Sequence, residues 1–190
     1  MNKAIAIAAV AGLAGTAAAQ TLNISADVTE VGLGGTINWT VSVTGLTASQ
    51  YIQAYDMNLN ASYAAGAAST FSTNLSALVG PTAGTAAGAS ILGASGGQST
   101  LVDPLNATFG DIVLGSFSVV AGAEGVLSYS VTDGGVLGAN IVRARLGSDL
   151  GPIAFDGPAA VNSDSVTITP TPASAALLGL GGLVAARRRR

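Results

Sequence analysis

The chain has 190 residues; 49% are hydrophobic, 9% are charged, and there is no histidine and no cysteine. Those absences exclude a Ser–His or Cys–His nucleophile pair, a conventional zinc centre and any disulfide framework. Ten acidic side chains against seven basic ones leave a net charge of −3, which offers no general attraction for nucleic acid.

In chain order, the first element is a short apolar run. Lys3 supplies a positive start, and Ala4 to Leu13 is mostly apolar. Ala17, Ala18 and Ala19 offer the small residues that signal peptidase needs at its two specificity subsites, with Gln20 as the new N-terminus. This pattern predicts a secretory signal peptide over 1–19. The alternatives for the same run are a permanent N-terminal anchor and a buried helix.

Residues 20–169 form the predicted domain, of ordinary size for a single core. Its only basic residues are Arg143 and Arg145, against all ten acids, for a net of −8. It has no lysine, so Schiff-base and Ser–Lys chemistry are excluded as well. An acidic surface suits an exported, soluble body. With no disulfide to help, packing and backbone hydrogen bonds must hold it together.

The pattern along this domain is β. Thr21 to Val31 alternates loosely, and Gly32 to Gly35 predicts a turn. Thr36 to Val43 is the clearest strand: Ile37, Trp39, Val41 and Val43 share one face, and Asn38, Thr40, Ser42 and Thr44 the other. Strict period two means one buried and one wet face. Tyr51 to Tyr63 alternates again, with Tyr51, Tyr55, Met57 and Leu59 on one side and Asp56, Asn58 and Asn60 on the other. Ala64 to Gly97 is rich in Ala, Gly, Ser and Thr, which predicts long surface connections with a short strand or helical turn near Ser72 to Leu78. Ile112 to Val120 and Val126 to Val131, either side of Ala121 to Gly125, predict a hairpin. Asp133-Gly134-Gly135 is a further turn, followed by strands at Ala139 to Leu146 and Ser165 to Thr169. Eight or nine short strands with Gly-rich turns predict an all-β domain, a β-sandwich.

The run Val31-Gly-Leu-Gly-Gly-Thr-Ile-Asn-Trp-Thr-Val-Ser-Val-Thr-Gly-Leu46 is similar to the opening of cohesin-like domains. Ile52 to Leu59 looks like their next strand, and Gly115 to Gly125 like their late strand and turn. The resemblance implies a jelly-roll sandwich of the kind that binds dockerin modules through one sheet face. It assigns no binding residues.

No catalytic residues are predicted, and no cofactor. The acids are spread singly, mostly beside Gly, Pro or Asn, which is turn company rather than a paired-carboxylate site. Asp103, Asn106 and Asp111 could supply oxygen ligands to calcium, or form an Asx turn around Pro104. Five Asn-x-Ser/Thr sequons occur, at Asn23, Asn38, Asn60, Asn74 and Asn106; in so Ser- and Thr-rich a chain they are either compositional or glycosylation sites.

The last segment, 170–190, has three parts. Pro170-Thr171-Pro172 is a stiff, non-helical start. Ala173 to Ala186 is uncharged, and Arg187, Arg188, Arg189 and Arg190 close it. A fourteen-residue helix, about 21 Å long at roughly 1.5 Å per residue, falls short of the ~20 residues of a full span. It can reach partway, while the arginines resist translocation. The other reading is a disordered basic arm that contacts nucleic acid. The segment resembles the PEP-CTERM sorting signal of Gram-negative bacteria, with Pro170 and Pro172 as its two prolines and Thr171 where that family most often has Glu. The resemblance implies processing by an exosortase-type membrane enzyme and transient anchoring in the inner membrane. The expectation is an exported, envelope-sorted, non-catalytic surface or matrix protein, associated with biofilm or extracellular polysaccharide. The alternative is an extracellular module that binds a carbohydrate or a dockerin-like protein.

Overall fold

The structure, a computed structural model, describes residues 20–63, 66–75, 82–97, 109–135, 141–145, 148–153 and 161–171. Ala17, Ala19, Pro172 and Arg187 to Arg190, with the two flanking helices expected there, lie outside the described residues, as do Asp103 and Asn106. Among the described residues no helix is long and apolar enough to cross a membrane.

The described chain is built of β-strands. They are β1 (Thr21–Ala26), β2 (Glu30–Gly32), β3 (Thr36–Thr44), β4 (Gln50–Ala61), β5 (Gly66–Ala68), β6 (Ser72–Thr73), β7 (Thr82–Ala87) and β8 (Ser90–Gly97). There follow β9 (Ile112–Ala121), β10 (Gly125–Leu127), β11 (Tyr129–Asp133), β12 (Ile141–Arg145), β13 (Ser148–Ile153), β14 (Val161–Ser163) and β15 (Val166–Thr169). Sheet I has the order β14-β1-β3-β9-β5, with β6 also on β9; sheet II has β13-β12-β4-β8-β7, with β11 also on β4. A small third sheet, β10-β15-β2, adjoins them. The all-β sandwich expected from the alternation is present, cut into more and shorter strands than the eight or nine expected.

β3 explains why. Its alternating residues put Ile37, Trp39, Val41 and Val43 fully inside, all 0% exposed. Trp39 stacks on Phe117 of β9 at 6.3 Å between ring centroids and meets Tyr129 of β11 edge-on at 4.9 Å. That trio ties sheet I to sheet II. Leu22 and Ile24 of β1, Met57 and Leu59 of β4 and Ile91 of β8 complete the centre of the core.

Four expectations need correction. The run Thr21 to Val31 is two strands, because the chain leaves β3 after Ala26 and β2 pairs with β15 instead. The stretch 64–97 is not mainly surface connection. β8 lies inside sheet II between β4 and β7, and its Ile91 and Ala94 are buried. The Ile112–Val120 and Val126–Val131 strands do not form a hairpin: β9 pairs with β3, β5 and β6, while β10 pairs with β15 and β11 with β4. The turn between them hands the chain from one sheet to another, since long-range burial outweighs local pairing. Finally, Tyr51 does not share a face with Tyr55. Val142 opposes Ala54 and Arg143 opposes Ile52, so Gln53 is an extra, bulged residue that reverses the alternation. Ile52 thereby takes the core position.

Candidate interaction face

The bulge at Gln53 shapes a mixed aromatic and polar surface, the outer face of sheet II. Tyr51, turned away from the core, pairs across the sheet with Phe109 and meets its ring edge-on at 5.3 Å. Tyr51 is buried, and Phe109 is 38% exposed above it. Beyond the bulge the same face carries Asp56, Asn58 and Asn60, as their alternation predicted. Asn58 Nδ2 donates to the Asp133 carbonyl at 2.7 Å, and its Oδ1 accepts from Gly93 N at 2.7 Å. Asn60 Nδ2 donates to Thr132 Oγ1 at 3.0 Å. These bonds bind β4 to β8 and β11 through side chains as well as backbone, which makes this half of the face stiff. Leu92 projects between the polar groups, 43% exposed, opposite Thr85.

Among the residues whose burial is described, Asp56 is the one buried charged side chain. The Asp133-Gly134-Gly135 turn lies over its carboxylate. A Cβ at Gly134 would overlap that carboxylate, so only glycine fits there. Asp133 Oδ1 accepts from Gly135 N at 2.8 Å and closes the turn.

The outer face of sheet I is different. Ser25, Thr36, Asn38 and Thr40 are exposed on it, flanked by Ser42, Ser116 and Ser118. Asn23 Nδ2 donates to Thr44 Oγ1 at 2.9 Å. Asp27 accepts twice from Asn38, from its backbone N at 2.9 Å and its Nδ2 at 2.7 Å. The bond from the Asn38 side chain holds the Asp27 carboxyl below its usual range, with the backbone bond adding to it.

Where described, the other candidate residues serve the fold. Asp111 Oδ1 accepts from Leu46 N at 3.0 Å and Asp164 Oδ2 from Ala26 N at 3.0 Å, so both hold loops. No group of three potential metal-ligating side chains is present among the described residues. Asn74 is exposed, whereas the amides of Asn23, Asn38 and Asn60 are engaged in the bonds above. A cleft of about 290 Å³ between β6 and β7 is lined by Tyr55, Phe71, Ser72, Thr73, Thr82 and Ala83. It contains no charged group. Gln20 Nε2 reaches the Gly45 carbonyl at 3.5 Å. At the other end Pro170 is exposed and Thr171 is half-buried over Gly32.

No family model matches the sequence, and no curated protein matches it significantly. Solved structures do match. One is CaCohA2 from Clostridium acetobutylicum in complex with CaDoc0917, at 13% identity and TM-score 0.54, covering 78% of this chain and 100% of that one. A second is the cohesin module of a family 33 glycoside hydrolase from Clostridium perfringens, at 11% identity and TM-score 0.54, covering 80% and 98%. A third is the third ScaC cohesin of Acetivibrio cellulolyticus in complex with the ScaB dockerin, at 10% identity and TM-score 0.50, covering 78% and 98%. The chain has the cohesin-like sandwich fold. Identities this low speak of fold and not of site.

Proposed function

We propose that this chain is an exported, envelope-sorted, non-catalytic surface module that holds another extracellular protein on the outer face of sheet II. The observation that carries this is the combination on one face of an exposed Phe109 seated on the buried Tyr51, an exposed Leu92, and a braced amide–hydroxyl ladder, Asn58–Asn60–Thr132. Apolar anchors amid oriented polar groups are what a protein interface needs. The cohesin-like fold supports the same reading, since two of the matched modules were solved as complexes, one of them with a dockerin. A flat carbohydrate platform is less well supported. Trp39, Tyr51, Tyr55, Phe71, Phe117 and Tyr129 are buried, so no group of exposed stacking rings exists among the described residues.

Under this proposal 1–19 directs export with cleavage after Ala19. Segment 170–190 is the sorting signal: exosortase-type processing at Pro170-Thr171-Pro172, and Arg187 to Arg190 as the stop. The matrix role follows from being sorted to the envelope while holding a partner there. To test it, a photo-crosslinking residue is placed at Leu92, Phe109 or Thr40 in the native host. Adducts of one discrete mass at Leu92 and Phe109, and none at Thr40, are expected. Adducts spread evenly over the three positions, or none at all, would refute the docking face. The address is tested separately by replacing Arg187 to Arg190 with Ser, which should release the protein with its tail uncleaved.

A further inference from the structure

The fold runs up to the sorting segment with no linker. β15 is the middle strand of its sheet, and Leu33 N donates to the Thr169 carbonyl at 2.9 Å. Thr171 still packs over Gly32. The uncharged run begins at Ala173, two residues later. At no more than about 3.6 Å per residue, that leaves about 7 Å between the folded domain and the first residue of the run. The headgroup layer on each side of a bilayer is itself about 5–7 Å thick. If the run enters a bilayer, the end of the domain where β15 stops has to sit within the headgroups.

That end is suited to it. It is formed by the Gly32–Gly35 turn, the 122–124 turn between β9 and β10, and Tyr63, whose ring lies against Gly125. Two of the exposed large apolar side chains, Val120 at 44% and Val126 at 56%, flank the 122–124 turn. Leu33 and Tyr63 are half-buried beside them. Charges are sparse: Glu124 in the turn, and Glu30 further along the small sheet. Apolar side chains, a tyrosine and glycine-rich backbone with few charges are what the membrane interface accepts.

We infer that this end of the sandwich, around Val120, Val126, Leu33 and Tyr63, is a lipid-contact surface that rests against the bilayer while the adjoining run is inserted. The inference rests on the anchoring role proposed above for segment 170–190. It fixes an orientation as well: β3 runs from Thr36 at this end to Thr44 at the other, so the 45–50 loop points away from the lipid.

The chain has no cysteine, so a single introduced one carries a unique fluorophore. The chain from Gln20 to Arg190 is prepared as Ala123→Cys or Ala48→Cys and added to phosphatidylcholine vesicles containing a headgroup nitroxide lipid. Ala48 is exposed at the far end. Flotation with the vesicles reports the anchor, and quenching reports the contact. The expected result is flotation of both, with quenching at least threefold stronger at position 123. Adding Val120→Asp and Val126→Asp to the Ala123→Cys chain should keep flotation and lower the quenching. Flotation with equal quenching at the two positions would overturn the lipid contact and leave the anchor standing. Failure to float would remove the anchor and the contact together.

Discussion

The two outer faces of the sandwich are made by the same rule and come out unlike each other. On sheet I every second residue of β3 is Thr, Asn or Ser, a row of hydroxyls and amides bordered on β9 by the exposed Val113 and Val120. In β4 of sheet II one bulged residue, Gln53, interrupts the rule, and the interruption brings Tyr51 outward to meet Phe109. A regular strand distributes its residues evenly between core and solvent. A bulge can move a large side chain from one side to the other without altering the rest of the strand. The difference teaches where to look for function in a domain without histidine, cysteine or lysine: where a bulge turns a large side chain away from the core.

The largest effect should come from the layer between the faces. Trp39→Ala is expected to cost about 3–5 kcal/mol in denaturant melts, while its outward neighbour Thr40→Ala should change stability by less than about 0.5 kcal/mol. Equal losses at both would mean that the outer face of sheet I helps hold the fold together and is not a plain surface.

Next comes the contrast between the faces themselves. Leu92→Asp and Phe109→Ser should each weaken partner capture at least tenfold, which is about 1.4 kcal/mol. Thr40→Asp should leave capture unchanged, as read by recovery of the crosslinked partner. Loss with Thr40→Asp would move the docking site to the other sheet.

A smaller effect tests the bridge between the sheets. Tyr129 is buried, donates from its hydroxyl to the Ala89 carbonyl at 2.7 Å, and burial pushes its phenol well above the usual value of 10.0. Burial raises Tyr55 in the same way. A raised pKa leaves stability untouched below the ordinary phenol value. Stability then falls as pH climbs past that value, because the unfolded chain ionises first. Tyr129→Phe should lose about 1 kcal/mol at neutral pH and show a shallower fall above pH 10. An unchanged alkaline slope would place the titration elsewhere.

The smallest effect is on sheet I. Asn38→Ala should let the Asp27 carboxyl rise toward the ordinary value of 3.8, followed by NMR titration. The sign is opposite to that of tyrosine: stability from a lowered carboxyl is present above the ordinary value and fades as pH falls through the folded one. No rise in Asp27 would mean that the backbone bond from position 38 suffices.

How much of this was legible depended on side-chain size. β3 could be read because large and polar residues alternate without a break over its length. β8 could not, because Ser, Gly and Ala outnumber its two large residues, and a buried strand of small residues looks like a loop. Its role follows from the space between β4 and β7, which no local pattern encodes. For the same reason the strands either side of the 121–125 turn read locally as a hairpin, although each pairs with a distant strand. On the candidate face, the Asn58–Asn60 alternation was visible in the sequence. The pairing of Tyr51 with Phe109 was not, because it joins residues far apart in the chain and depends on a bulge that only the register reveals.

β1 pairs in parallel with β14, and β2 in parallel with β15, so the first two described strands each lie beside one of the last two, in the same direction. β15 also has β10 on its other flank. Tension applied to β15 along its own axis pulls along the β2 and β10 ladders and not across them. Their hydrogen bonds must then yield together, in shear, on both sides of β15. A strand held on one edge can be peeled one bond at a time. This one, held on both edges, acts as a rivet.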